Sequence, residues 1–248
     1  MMRTLVLSFL IVLAAAPVNG FFPETKEIQG EIKDNLGRIS SLQAEIEPVG
    51  ENGLVWRIWQ KGELWRTEWV DKEKNRVVCA GLGRGNEIYA AYPAGSKPGP
   101  VPSWLLLRDI PWLEAHGLKT AKKEYAFVGN RPCVILGEYG PEKQGMRLWV
   151  DNEKMLPVRM MDAGESRQLL WRKYHRAGNY PLPQQMELSR HGDEPREFRI
   201  NWTGINISIP DDLFSVSRFK DSFARASRRG LPDVVRYCNR FFSGFFAR

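Results

Sequence analysis

Few groups in this chain are able to do chemistry. Its 248 residues include three histidines (His116, His175, His191) and three cysteines (Cys79, Cys133, Cys238). Such side chains act as ligands, bases or nucleophiles only in company, at spacings that bring two or three of them to one site. Here no histidine stands at metal-ligand spacing from another histidine or from a cysteine, and no Cys-x-x-Cys pair occurs. His191-Gly192-Asp193 reads as a turn with no nucleophile beside it, which leaves a triad incomplete. The Gly-x-Ser-x-Gly elbow of hydrolases is absent. Gly81-Leu82-Gly83-Arg84-Gly85 is glycine-rich, but it lacks the nucleotide-binding spacing and adjoins a strand rather than a helix, so no phosphate cradle is expected. The chain is therefore read as a non-enzyme, with no catalytic residue, metal or cofactor. Cys79 and Cys133 both fall in predicted strands and are candidates for a disulfide; buried thiols are the alternative, and one cysteine is left over either way.

What the sequence has in surplus is aromatic surface. Nine tryptophans are spread along it. Each buries a large area and carries one N–H that needs a partner. Any one of them suits an ordinary core, but their pattern asks for more. Strict alternation puts Trp56 and Trp59 on opposite faces of one strand, so both faces of that sheet are apolar. A curved sheet with a helical layer on one side and a lidded, ligand-filled space satisfies this. Sites for apolar ligands are concave and lined by aromatic and aliphatic side chains. The candidate lining is Trp56, Ile58, Trp65, Trp69, Tyr89 and Trp149, covered by Trp104, Leu106, Leu107, Trp112 and Leu113 from an apolar insertion.

The elements that must position these residues follow from periodicity. Residues 24–38 read as a helix, with Ile28, Ile32, Leu36 and Ile39 three and four apart. After Ser40 the period becomes two. Leu42, Ala44 and Ile46 alternate with polar residues, and the runs around Trp56 and Trp65 flank the turn Lys61-Gly62-Glu63. Further strands are predicted at 76–81, 87–92, 121–128, 132–139, 145–150, 156–161, 167–175, 184–191, 196–203 and 211–216. Between them, the Gly/Pro-rich stretch 93–102 leads into a short helix capped by Ser103 and carrying Trp104 to Leu107. The result is one mainly β, antiparallel domain of about 10–12 strands.

The two ends differ from this body. Arg3, an apolar run at 5–16 and Val18-Asn19-Gly20 form an export signal, with cleavage expected after residue 20; an uncleaved anchor is the alternative. No cysteine follows the apolar run, so no lipid attachment is expected. The domain is placed at 21–219. Residues 220–248 are basic, and Val234, Val235, Cys238, Phe241, Phe242, Phe245 and Phe246 share one face of an amphipathic helix. That helix fits domain packing, transient membrane contact, or a plug or partner contact. The net charge of +7 suits an anionic membrane surface, and no motif suggests nucleic acid.

Several motifs, in order, resemble the LolA/LolB-type periplasmic lipoprotein carriers. They are Ile39-Ser40-Ser41-Leu42-Gln43-Ala44-Glu45-Ile46 after the helix; Leu148-Trp149-Val150-Asp151 followed by Leu156-Pro157-Val158-Arg159; Tyr180-Pro181-Leu182-Pro183 with Glu187-Leu188; and Ile205-Asn206-Ile207-Ser208-Ile209-Pro210-Asp211-Asp212-Leu213-Phe214. One position departs: the family places an arginine where this chain has Lys61-Gly62. The resemblance implies a curved, unclosed antiparallel β-barrel with helices as a lid over a hydrophobic cavity. It implies binding of lipid, or of the acyl chains of lipoproteins, in the periplasm of a Gram-negative bacterium, without catalysis. An inner- or outer-membrane protein is a further possible partner. The same architecture serves envelope-stress regulators of the RseB type, which bind a membrane protein instead; that is the alternative function.

Overall fold

The computed structural model describes residues 23–50, 53–99, 105–107, 110–138, 145–164 and 166–224, the side chain of Trp112 excepted. The expected signal at 1–20, Trp104 and the basic tail from 225 lie outside the described residues.

The chain opens with α1 (Thr25–Ile32), extended by one wider turn, Lys33–Gly37. The Glu27 carboxylate accepts from the Glu24 backbone N–H at 2.7 Å and ties off the first turn. Ile28, Ile32 and Leu36 form its buried stripe. Five strands follow: β1 (Ser41–Pro48), β2 (Leu54–Lys61), β3 (Leu64–Asp71), β4 (Arg76–Arg84) and β5 (Glu87–Tyr92). The short helix α2 (Ile110–Ala115) lies in the connection to β6 (Lys123–Val128). Then come β7 (Arg131–Gly137), β8 (Arg147–Asp151), β9 (Pro157–Met161), β10 (Arg167–Ala177), β11 (Tyr180–Arg190) and β12 (Arg196–Ile205). A 3-10 turn (Asp211–Phe214) and α3 (Val216–Phe223) end the described chain.

Among the described residues the twelve strands form one sheet, in the order β5-β4-β3-β2-β1-β12-β11-β10-β9-β8-β7-β6, with every neighbour antiparallel. The order does not close, so β5 and β6 are free edges. The sheet is nonetheless strongly curved. One apolar cluster runs along its inner face from Val78 on β4 to Val134 on β7, with α1, residues 105–107 and α2 packed into it. Irregular registers at Gln43/Ala44, Trp69/Val70, Leu82/Gly83 and Trp149/Val150 supply bends of the kind that let a sheet curl. The fold class read from the sequence is the one observed.

Two local expectations are corrected. Residues 211–216 form no strand: Leu213 N–H donates to Pro210 O and Ser215 N–H to Asp212 O, both at 3.1 Å, which closes tight turns instead. The helix expected around residues 103–107 lies further along. Residues 105 and 106 sit in a turn, and α2 begins at Ile110, with Pro111 in its first turn, where a missing N–H costs nothing. Helix α3 spans Val216–Phe223, with Ser215 as its N-cap.

Candidate functional site: the concave face

The concave face of the sheet carries one large apolar cluster. Inward-facing residues of β1 to β4 and β7 to β12 contribute to it, together with α1, residues 105–107 and α2. Trp56 and Trp69 face each other across β2 and β3 in register and stack, with ring centroids 5.7 Å apart and planes 7° apart. Ile58 lies beside them, and Leu106, Leu107 and Leu113 reach the same cluster from the β5–β6 connection. The structure thus brings together six of the residues singled out from sequence, with residues 105–107 and α2 packed against the concave face. Leu105 and Ile110, which the sequence reading did not single out, join them.

Trp65 shares the inward side of β3 with Trp69 but occupies its own niche. Its ring lies over Gly83, where an added Cβ would stand 2.4 Å from Trp65 Cζ2. Its indole N–H donates to Gly85 O at 2.9 Å. The glycine-rich run is therefore the floor of a tryptophan niche, with Pro98 packed on Gly81. Tyr89 and Trp149 stand apart from the cluster. Tyr89 is 39% exposed at the β5 edge. Trp149 points outward from β8 into a separate cluster with Cys133, Ile135, Val158 and Met161. There Arg147 and Arg159 lie over its ring at 5.4 and 4.8 Å.

Cys79 and Cys133 are not joined. Cys79 is buried in the concave cluster and Cys133 in the outer one, on opposite faces of the sheet. The suggested disulfide is not formed, because the two side chains leave opposite faces of the sheet and point apart. Burial pushes the Cys133 thiol up to about 11, with the Asp151 carboxylate adding to the shift. Among the described residues no group of three or more His, Cys, Asp and Glu is arranged to hold a metal ion.

The convex face has its own apolar layer. Ala80, Leu82 and Tyr92 from β4 and β5 pack against Ile209, Phe214 and Phe219 of the C-terminal segment. Trp59 packs here, on the side opposite Trp56, as alternation required. Arg66 organises this layer and escaped the sequence reading. Its Nε donates to Glu68 at 2.8 Å, Nη1 donates to Leu213 O at 3.0 Å, and its guanidinium lies 5.4 Å from the Phe219 ring. Lys61 pairs with Asp211 at 2.6 Å and holds the same segment at the sheet's end. Asn206, with φ +52°, forms a second knot. Its side chain accepts from Ser40 N–H at 2.7 Å and donates to Arg38 O at 3.1 Å and Tyr180 Oη at 2.7 Å. A groove of about 510 Å3 opens beside it, lined by Gly178, Asn179, Trp202 and Thr203 among others.

A LolA superfamily protein from Nitrosomonas europaea superposes on this geometry with a TM-score of 0.52 at 10% identity, covering 79% of this chain and 99% of its own. The chain has a LolA-type fold. A putative outer membrane lipoprotein-sorting protein domain from Vibrio parahaemolyticus aligns at a TM-score of 0.47 and 12% identity, over 78% of this chain and 97% of its own. A DUF1329 family protein from Desulfovibrio piger aligns at 0.41 and 13%, over 78% and 98%. No protein-family model and no curated protein matches the sequence. In this LolA-type fold, α1, α2 and residues 105–107 occupy the side of the sheet where the resemblance placed a lid, whereas α3 packs on the other face.

Proposed function

We propose that this protein is an exported, noncatalytic carrier that holds a lipid, or the acyl chains of a lipoprotein, on its concave face. One observation carries the reading. The inner face of an open, LolA-type sheet is continuously apolar, and part of its cover is a short, irregular run of leucines at 105–107 rather than another sheet. An acyl chain replacing those leucines exchanges one apolar contact surface for another, so the exchange involves little net loss of burial. The export signal read at residues 1–20 supports a periplasmic carrier, and the basic tail at 220–248 is a further contact with a membrane or a membrane protein. Function comes from this site rather than from the fold, which hosts several activities.

The test is native mass spectrometry of protein recovered gently from the periplasm of an expressing bacterium, followed by lipid extraction. A bound phospholipid or acyl species supports the carrier. A ligand-free mass, with no uptake of added lipid, refutes it and favours the regulator that binds a membrane protein.

A further inference from the structure

The apolar concave face does not stop at the buried cluster; it continues onto both free edges of the sheet and meets solvent there. On β6, Tyr125 is 44% and Phe127 73% exposed. Tyr125 lies opposite Val134 of the concave cluster, whereas the intervening Ala126 lies opposite Cys133 of the outer one. Tyr125 and Phe127 therefore stand on the concave side. On β5, Ile88 lies opposite Gly83, whose missing side chain faces Trp65 on that same side, and it is 41% exposed. Tyr89 is the extra residue of the irregular β4–β5 register.

We infer that these two rims are a membrane-docking surface that seats the opening of the concave face on a bilayer containing anionic phospholipid. The inference rests on the carrier reading and adds where the carrier meets its lipid source. Aromatic and aliphatic side chains beside lysines are the composition that partitions to a bilayer interface. The charge has the right sign. Beside β6 the largely exposed Lys119 and Lys122 share the single carboxylate of Glu138, which leaves a cation in excess there. A strand from a partner protein fits these edges poorly. Both edge strands have six residues, β5 is broken by its irregular register, and β6 is entered through Lys122 and Lys123. Short edges, bulges and lysines are the features that discourage strand addition.

The experiment compares protein recovered from the periplasm with a variant carrying Ile88→Ser, Tyr89→Ser, Tyr125→Ser and Phe127→Ser. Both are sedimented with vesicles of phosphatidylcholine, alone or mixed with phosphatidylglycerol at about three to one. The expected result is salt-sensitive binding of the unaltered protein to the mixed vesicles, weakened at least about tenfold in the variant. The two edges are also altered separately, so that a folding defect in the fourfold variant is recognised by its melting curve and bypassed. Equal binding of variant and unaltered protein overturns the inference and moves the membrane contact to the leader or the basic tail. So does a failure of the unaltered protein to bind either vesicle, or a dimer in light scattering that the rim substitutions abolish. Uptake of a monomeric fluorescent fatty acid separates the two claims. Intact uptake with rim-independent vesicle binding overturns only the docking surface, whereas no uptake by the unaltered protein overturns the carrier.

Discussion

At the residue scale, Arg66 and Cys133 show how one sheet face sets side-chain chemistry. Arg66 and Glu68 retain only 11% and 10% side-chain exposure, so their charges are satisfied by each other and by Leu213 O rather than by water. Arg66→Ala leaves a buried carboxylate without its cation and should cost about 3–5 kcal/mol, read as a lower urea midpoint. The double variant Arg66→Met/Glu68→Leu removes both charges and should lose less than Arg66→Ala alone. Cys133 gives a pH dependence. Its thiol pKa rises on folding to about 11, so the folded state holds the proton more tightly than the unfolded chain does. The stability it contributes is complete below the unfolded thiol range, about 8.5, and is lost as pH rises through about 11. Ellman's reagent at neutral pH should therefore label Cys133 slowly in the native protein and rapidly in urea.

At the scale of elements, alternation and periodicity made most of the architecture legible. Trp56 and Trp59 fall on opposite faces because they are an odd number of residues apart, and each face found its own apolar partner. What remained hidden was which element covers the convex face. Residues 211–216 look like a strand by composition, yet Pro210 and the two aspartates after it favour tight turns, and α3 then docks on β5 through Phe219 and Phe223. Phe219 is 1% exposed, so Phe219→Ala should cost about 3 kcal/mol. The loss should appear first as faster proteolysis within residues 211–224 and greater iodide quenching of Trp59. Ser215→Ala, which removes only the hydroxyl that caps α3, should cost about 1 kcal/mol.

At the scale of the whole molecule, the site exists because the sheet curls. Leu106 is 5% exposed within the concave cluster and comes from an irregular segment. A carboxylate there has no partner, so Leu106→Asp should reduce uptake of a fluorescent fatty acid at least about tenfold. Its convex-side counterpart Phe219→Ala should leave uptake near normal at temperatures where it is folded. The sequence by itself determined the mainly antiparallel class, a strand number within about 10–12, the positions of most of them, and the split of tryptophans between two faces. These are local properties, written in a period of two and in turn residues. It did not determine that Tyr89 meets solvent at one edge, that Trp149 faces outward, that Cys79 and Cys133 lie on opposite faces, or that Arg66 anchors the C-terminal helix. Those facts depend on which inward-facing positions meet across the curve of the sheet and which strands are left at its edges. Only the tertiary structure decides them, because face and edge depend on where each strand falls in the twelve-strand order, which neither the period of two nor the turn residues encode.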